Sequence, residues 1–490
     1  MVNQAMLLKY SIRGAGYEEG SAVIENVAAS LGEGGLLVLA GPSGSGKTTT
    51  LLAITGVLSN LLYGWVEGES LIAGINPLSP DGFDEIPSKI GAVLQDPDKQ
   101  LTMPTPYSEV AFTLENLGYP ENIVHEKTVE ILERLGLRDK MYIHVEDLSG
   151  GEKRRLTFAS AVVHDPPLLL LDEPSASMDP WGIREVRNFI SDWRRRGKGV
   201  LVIEHKLRYF LWEDTKIHVY QGGKLVRELE APLSRSETGF LEQIGVDAGP
   251  PRIKRVMPPN SSGHVLEARG LTIGYGEKII ARNIDLFLKK GEAVAVIGRN
   301  GAGKTTLLKT LAGALDPLDG EVLLLGEKTV AKQRIGRVFY VPQMPDYLFI
   351  GSSLEEELRE TARKTGRSME WLTSHIPWFS EERTISPYRL SHGQRRWLSI
   401  IIAYSYGAPV ILLDEPSSGL DLKLFRQLVE LVEELRNRGM SFLISTHDPR
   451  VVAEMCNRAY ILDHGRLGEI DRYRAVELLE KEAGLSLEEA

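Results

Sequence analysis

The sequence predicts an α/β fold built from two tandem copies of one domain, and two loops of one pattern carry this prediction. Residues 41–49 are G-P-S-G-S-G-K-T-T and residues 298–306 are G-R-N-G-A-G-K-T-T. Both fit the phosphate-binding pattern G-x-x-x-x-G-K-[ST], known as the P-loop. Each loop follows an apolar run, 36–40 or 293–297, that is typical of a strand, and residues 50–54 are typical of an opening helix.

Phosphate binding is the chemistry expected of these loops. Glycines let backbone N–H groups point at phosphate oxygens, and the following helix adds the positive end of its dipole. Lys47 is expected to reach the β and γ phosphates, and the hydroxyl of Thr48 to bind Mg²⁺. A glycine-rich turn without a ligand is the alternative, but such a turn does not need the flanking strand and helix.

Later motifs repeat at a constant spacing. The P-loop lysines are 304 − 47 = 257 residues apart, the glutamines that follow a strand, Gln95 and Gln343, are 248 apart, and four later motifs recur at 242. These four are L-S-G-G-E at 148–152 with L-S-H-G-Q at 390–394, the apolar runs ending in Asp172-Glu173 and Asp414-Glu415, Asp179 with Asp421, and His205 with His447. Such a repeat indicates a duplicated domain.

The repeat divides the chain into four parts. The first domain is predicted at 5–230 and the second at 264–478, with a linker at 231–263 between them and an acidic tail at 479–490. The linker contains Pro232, G-P-P at 249–251 and P-P-N-S-S-G at 258–263, a composition that packs poorly.

Composition limits the class of protein. The net charge of −10 argues against a non-specific nucleic-acid binder, and the single cysteine, Cys456, excludes an intrachain disulfide and a cysteine-ligated iron–sulfur cluster. The start of the chain lacks the features of a signal peptide. The apolar stretch 397–413 is broken by Ser405, Gly407 and Pro409, so we expect a buried helix and a strand there. We therefore expect a soluble, cytoplasmic chain whose membrane work needs partner subunits.

The paired carboxylates predict hydrolytic chemistry. A buried parallel strand delivers each Asp-Glu pair to the carboxyl edge of a sheet. Asp172 and Asp414 are suited to Mg²⁺, and Glu173 and Glu415 to activating a water as general bases. His205 and His447 each follow a core strand, where an imidazole could contact the γ-phosphate or that water.

Two further features occur in both halves. Tyr17 and Tyr275 each follow an alternating strand and could stack on adenine, although an ordinary strand-end tyrosine is an equal alternative for either alone. Ser149 and Ser391 precede helical segments as potential N-caps, which would form a second phosphate-binding helix start in each half. A long insertion, with an amphipathic stretch at 124–135, separates Gln95 from the first of these motifs.

This order of motifs resembles the nucleotide-binding domains of ABC ATPases over nearly the whole chain, twice. The resemblance implies two P-loop NTPase domains, each a RecA-like mixed-sheet core with a helical subdomain and an antiparallel β subdomain. In that family two domains face head-to-tail, and each ATP lies between one P-loop and the other domain's signature. The first site would then use Tyr17, Ser43, Gly44, Gly46, Lys47, Thr48, Thr49, Gln95, Asp172, Glu173 and His205, with Ser391 and Gly393.

The second site would use the corresponding residues of the other half. These are Tyr275, Asn300, Gly301, Gly303, Lys304, Thr305, Thr306, Gln343, Asp414, Glu415 and His447, with Ser149 and Gly151. The resemblance assigns the glutamine-loop residues Gln95 and Gln343 to Mg²⁺ binding and catalysis. It also implies that the cofactors are ATP and Mg²⁺. His392 departs from the family, which usually has glycine there, and its side chain could crowd the nucleotide.

The first glutamine loop resembles that of the energy-coupling-factor ATPases. It reads V-L-Q-D-P-D-K-Q-L at 93–101, followed by S-E-V-A-F and E-N-L-G, and the second half is a looser match. The resemblance implies an integral-membrane coupling subunit and a small membrane subunit that binds a vitamin or a transition-metal ion. It places the chain at the cytoplasmic face of the cell membrane, without contact with the transported substrate or with nucleic acid.

Two alternatives compete with the importer. A soluble double-ABC protein acting on the ribosome would need a cysteine-rich cluster domain or a long charged linker, and neither is present. A fused sugar-importer ATPase would usually have a degraded second P-loop, whereas Gly303-Lys304-Thr305 is intact.

Overall fold

A computed structural model describes residues 6–94, 97–176, 178–256 and 263–485, without the side chains of Pro97, Asp98 and His392. Gln95 and the linker residues 257–262 therefore lie outside the described residues. The chain divides into two compact units, Met1–Met178 with Gly182–Gly249 (unit 1) and Pro250–Ala490 with Asp179–Trp181 (unit 2).

Unit 1 mixes strands and helices throughout. Its strands are β1 (Met6–Gly16), β2 (Ile24–Gly32), β3 (Leu36–Ala40), β4 (Trp65–Ile72), β5 (Ile90–Val93), β6 (Leu168–Asp172), β7 (Gly199–Glu204), β8 (Lys216–Gln221) and β9 (Lys224–Glu230). Its helices are α1 (Lys47–Ile54), α2 (Val57–Asn60), α3 (Pro80–Glu85), α4 (Pro97–Gln100), α5 (Pro106–Asn116), α6 (Glu121–Arg134), α7 (Gly150–Val162), α8 (Pro180–Arg195) and α9 (Arg235–Gln243).

The strands of unit 1 form one sheet in the order β4-β1-β2-β9-β8-β3-β7-β6-β5. Strands β5, β6, β7, β3 and β8 are parallel, whereas β4, β1 and β2 are antiparallel. Strands β3, β6 and β7 are buried along their whole length, which explains their continuous apolar sequences. Helices α5 and α6 form the predicted helical insertion between β5 and α7.

Unit 2 repeats this plan. Its strands are β10 (His264–Tyr275), β11 (Lys278–Lys289), β12 (Ala293–Ile297), β13 (Asp319–Leu324), β14 (Glu327–Thr329), β15 (Val338–Val341), β16 (Val410–Asp414), β17 (Ser441–Ser445), β18 (Arg458–Asp463) and β19 (Arg466–Ile470). Its helices are α10 (Lys304–Ala312), α11 (Ala331–Arg334), α12 (Leu354–Thr365), α13 (Met369–Ser374), α14 (Phe379–Glu382), α15 (His392–Ser405), α16 (Leu422–Asn437), α17 (Pro449–Met455) and α18 (Arg472–Glu482).

Two sheets divide the strands of unit 2. One is antiparallel, in the order β11-β10-β13-β14, and the other is the mixed core, β15-β16-β17-β12-β18-β19. The core is parallel from β15 to β18 and ends with antiparallel β19. A mixed-sheet core, an antiparallel β subdomain and a helical insertion confirm the predicted fold class.

The sheet order brings the chemical motifs to one edge. In unit 1, β7 lies between β3 and β6, so the P-loop after β3, the Asp-Glu pair after β6 and His205 after β7 share the carboxyl edge. In unit 2, β17 lies between β12 and β16 with the same result. Carboxyl ends of parallel strands are where open α/β sheets bind ligands.

The segment that composition assigns to a linker is partly structured. Residues 235–243 form helix α9, which begins with a capping box between Ser234 and Glu237. After it, the N–H of Asp247 donates to the carbonyl oxygen of His205 at 2.8 Å. A local capping box and tertiary contacts therefore order part of a segment whose composition predicts a linker. Among the described residues, no helix is both long enough and apolar enough to cross a membrane.

Candidate functional site

Both P-loops hold their lysine inside the loop. Lys47 Nζ donates to the carbonyl oxygens of Gly41 and Pro42, both at 2.8 Å, and Lys304 Nζ donates to that of Gly298 at 2.7 Å. Both lysines are buried, so the loop carbonyls stabilise the ammonium groups. Each lysine is therefore positioned to transfer its hydrogen bonds to a phosphate.

The last glycine of each loop has a steric role. Gly46 has φ 94° and Gly303 has φ 104°, both in the left-handed region that favours glycine. An added Cβ at Gly46 would lie 2.7 Å from Ile24 Cγ2, and at Gly303 it would lie 2.4 Å from Ile280 Cγ2. A side chain at either position would therefore clash with this isoleucine and strain the backbone of the loop.

Asp172 of unit 1 lies next to the P-loop threonine. The hydroxyl of Thr48 donates to Asp172 Oδ2 at 3.4 Å, while Oδ1 is buried and has no hydrogen-bond partner among the described residues. Burial, followed by the charge of Glu173, raises the pKa of Asp172 to about 6. An unpartnered carboxylate oxygen beside a threonine hydroxyl fits Mg²⁺, which proteins bind through few carboxylates and substrate phosphates.

Asp414 of unit 2 is held more tightly. Its Oδ2 accepts hydrogen bonds from Thr305 at 2.8 Å and from Tyr340 at 2.9 Å, and its Oδ1 accepts one from Ser445. The positions that correspond to Tyr340 and Ser445 in unit 1 are Ala92 and Ile203, which have no hydroxyl. The two candidate Mg²⁺ sites therefore have the same residues but different surroundings.

Glu173 and Glu415 have an unusual backbone. Their φ angles are 46° and 45°, a strained region for a residue other than glycine. Each N–H donates to the neighbouring strand, from Glu173 to Ile203 O at 2.9 Å and from Glu415 to Ser445 O at 3.0 Å. Strain of this kind is typical of functional sites.

Each glutamate lies beside the histidine of its own unit. Glu173 Oε1 is 3.4 Å from His205 Nδ1, and Glu415 Oε1 is 3.0 Å from His447 Nδ1 and 3.6 Å from Lys304 Nζ. Burial opposes the charge of both glutamates, but the histidines and P-loop lysines outweigh it, so the pKa of each is lowered. Both carboxylates are thus held ionised, as general bases require.

The two candidate adenine-stacking tyrosines lie beside the P-loop helices. Tyr17 and Tyr275 are half-exposed, and each hydroxyl lies close to its P-loop helix, 3.4 Å from Thr49 Oγ1 and 3.5 Å from Thr306 Oγ1. Their rings are accessible for stacking.

The signature serines are already engaged as helix caps. Ser149 forms a capping box with Glu152 at the start of α7, and Ser391 forms one with Gln394 at the start of α15. Gln343 follows β15, and its carbonyl oxygen accepts a hydrogen bond from buried Arg396. Gln95 and the side chain of His392 lie outside the described residues.

The sequence reasoning missed three residues that shape these sites. Tyr340 and Ser445 hold Asp414, and buried Glu204 lies next to His205. A comparison of the two halves position by position could have found them, because their counterparts are Ala92, Ile203 and Thr446.

Comparison with known proteins decides the family. A family model described as ABC transporter matches residues 24–176 and 281–418, which together are more than half of the chain. The chain belongs to the ABC transporter family. Its two matched regions are tandem ABC domains, and proteins of this family bind and hydrolyse ATP, so the chain is an ATPase.

Relatives of this ABC protein match over about nine-tenths of its length. “Putative HMP/thiamine import ATP-binding protein YkoD” of Bacillus subtilis is 29% identical, over 91% of this chain and 87% of its own. A “Putative ABC transporter ATP-binding protein” of Saccharolobus solfataricus is 30% identical, over 92% and 91%.

A solved structure has the same fold. The complex of the archaeal ribosomal stalk protein aP1 and the ribosome recycling factor aABCE1 aligns with a TM-score of 0.63 at 20% identity. The alignment covers 93% of this chain and 89% of the other. At this identity the likeness concerns the fold alone.

Proposed function

We propose that this chain is the ATP-hydrolysing subunit of a membrane importer of the energy-coupling-factor type, which takes up a vitamin or a transition-metal ion. The observation that carries the proposal is an exposed apolar surface directly after Gln343. We define the 344–350 surface as Met344, Tyr347, Ile350 and the adjoining Tyr388.

The 344–350 surface has the character of a docking site. Met344, Tyr347 and Ile350 are 58%, 83% and 62% exposed, and the Tyr388 hydroxyl donates to Phe349 O at 2.9 Å, which places it alongside. Several large apolar side chains exposed together favour a protein partner. The resemblance to ABC ATPases supplies that partner, because the glutamine-loop groove of that family receives a coupling helix of a membrane subunit.

The importer subtype is supported by the first glutamine loop and by a relative. Residues 93–101 resemble the energy-coupling-factor ATPases, and the Bacillus subtilis relative is named as a thiamine import protein. The proposed partners are an integral-membrane coupling subunit and a small substrate-binding membrane subunit, which would hold the chain at the cytoplasmic face of the membrane.

The proposed hydrolysis assigns a role to each side chain. Lys47 and Lys304 would bind the phosphates, and the paired Thr and Asp residues of each unit would hold Mg²⁺, which would supply positive charge to the transferred phosphoryl group. Glu173 and Glu415 accept the proton of the attacking water, and His205 and His447 bind the γ-phosphate or that water. Following the family, each ATP would also bind the signature of the other unit, through Ser391 and Gly393 or Ser149 and Gly151.

The test is co-purification from membranes in detergent. We expect the tagged parent chain to recover both membrane subunits and Tyr347→Asp to lose them, because a carboxylate would be buried against an apolar partner. Tyr473→Asp, at a similarly exposed tyrosine of α18, is the matched control and should retain them. Thermal melting checks that each variant folds. Recovery of ribosomal particles instead of membrane proteins would refute the importer and favour the ribosomal alternative.

A further inference from the structure

A carboxylate that the proposed hydrolysis does not use lies beside the histidine of unit 1. Glu204 is the last residue of β7 and is fully buried. Its Oε1 accepts the backbone N–H groups of His205 at 2.8 Å and Lys206 at 2.9 Å. Its Oε2 accepts the N–H and the hydroxyl of Ser175 at 3.2 and 2.6 Å. Glu204 therefore links the loop of His205 to the loop that follows the Asp-Glu pair.

The ring of His205 lies between two carboxylates. Nδ1 is 3.4 Å from Glu173 Oε1 and 3.5 Å from Glu204 Oε1. Both ring nitrogens are buried and neither makes a hydrogen bond to a described residue, so Nδ1 meets the two carboxylates as ion-pair contacts. Burial alone would lower the pKa of His205, but the close contact with Glu173 and the charges of both glutamates outweigh it and raise the pKa.

The other charged groups around His205 either oppose the rise of its pKa weakly or act on its surroundings from a distance. Lys206, on the same loop, favours the neutral ring. Lys47 acts on Glu173 from the P-loop helix. From the segment after α9, Asp247 contacts His205 through its backbone N–H.

The corresponding histidine of unit 2 lacks the second carboxylate. The position equivalent to Glu204 is 204 + 242 = 446, which is Thr446. Its hydroxyl accepts the N–H of Asp448 at 3.0 Å, and His447 Nδ1 pairs with Glu415 at 3.0 Å. The two ATPase units therefore differ in the charge that surrounds the same histidine.

We propose that Glu204 is a positioning residue that keeps His205 protonated, so that the histidine of unit 1 acts as a cation at the phosphate site. An imidazolium donates from both nitrogens, whereas a neutral ring donates from one. Nδ1–H faces the two carboxylates, which leaves Nε2–H for a phosphate oxygen, and a charge-assisted hydrogen bond to that oxygen is stronger than a neutral one. This inference rests on the proposed role of His205 at the γ-phosphate.

The test measures the protonation of His205 directly. Ring signals of ¹³C-labelled histidines are followed by NMR against pH in the full chain, and the His205→Asn spectrum assigns the signal. In Glu204→Gln we expect the His205 midpoint to fall by at least about one pH unit, a tenfold loss of the protonated fraction above the midpoint. Gln keeps the size of the side chain and an acceptor oxygen, so a merely structural role predicts an unchanged midpoint, and that result would overturn the proposal.

The reciprocal change uses unit 2. Thr446→Glu should raise the midpoint of His447, and an unchanged midpoint in a variant that melts like the parent would contradict the proposal. If Thr446→Glu melts early, the Glu204→Gln titration decides alone.

A pH profile of hydrolysis separates this inference from the proposed function. In a Glu415→Gln background, which silences unit 2, Glu204→Gln should move the alkaline limb of ATP hydrolysis to lower pH. A shifted NMR midpoint with an unmoved limb supports the charge assignment and refutes the role of His205 in turnover.

Discussion

Replacement of Tyr340 by phenylalanine tests the difference between the two Mg²⁺ sites. The change removes one hydroxyl, which donates to Asp414 Oδ2 at 2.9 Å, and leaves the ring in place. A hydrogen bond to a charged group contributes about 1.5–3 kcal/mol. Oδ2 also accepts the hydroxyl of Thr305, so Mg²⁺ or its bound water must compete with two hydroxyls for this oxygen. Because Thr305 still competes after the replacement, we expect about half of that energy to be recovered, roughly 0.8–1.5 kcal/mol, which is about a 4- to 13-fold gain in Mg²⁺ affinity.

The assay isolates unit 2 in a Lys47→Ala background and follows binding of a fluorescent ATP analogue against Mg²⁺ concentration. The half-saturating Mg²⁺ concentration should fall about 4- to 13-fold in Tyr340→Phe. Tyr347→Phe removes a hydroxyl from an exposed ring and should leave it unchanged. An unchanged or increased Mg²⁺ requirement in Tyr340→Phe would show that the hydroxyl does not compete with the metal.

Three further predictions concern turnover and stability. Glu173→Gln combined with Glu415→Gln should trap nucleotide and stop hydrolysis, measured by phosphate release and retained ATP; parental rates in both single variants and in the double variant would disprove the base assignment. Ser391→Arg should abolish hydrolysis at the first P-loop while ATP still binds there, which a site-specific binding and turnover assay can check. The pKa of Glu152 is lowered to about 2, first by a lysine hydrogen bond and then by its capping serine, so its stabilisation is complete above its ordinary pKa and lost as pH falls towards 2. The Glu152→Gln variant, which has the residue found in unit 2 at Gln394, should not show this loss of stability when unfolding is followed against acid pH. An equal pH dependence of stability in the parent and the variant would contradict the prediction.

The elements around the P-loops could be predicted closely from the sequence. Strands β3 and β12 occupy the predicted residues 36–40 and 293–297, because a buried parallel strand must be apolar at every position. The stretch 397–413 likewise divides into the end of α15 and strand β16. The end of unit 1 was harder to predict from the sequence, because helix α9 lies in a segment whose composition is typical of a linker.

Local pattern could not show which side chains surround a motif residue. Tyr340 lies on β15, more than 70 residues before Asp414, and meets it because β15 pairs with β16. Glu204 directly precedes His205 in the sequence. Its hydrogen-bond partner Ser175, however, lies in the loop that follows a different strand, β6. Contacts of this kind depend on strand order, which no single segment encodes.

The sequence by itself determined the fold class, the duplication and the chemical identity of the candidate ATP sites, because P-loops and Asp-Glu strands need particular residues at particular spacings. Only the tertiary structure decided how each site is surrounded: among the described residues, three hydroxyls donate to Asp414 and one to Asp172, and a second glutamate lies beside His205 where unit 2 has Thr446. The physical reason is that hydrogen bonds and charges act over a few ångströms in space, whatever the distance along the chain. Two copies of one motif can therefore differ in chemistry through neighbours that the motif does not contain.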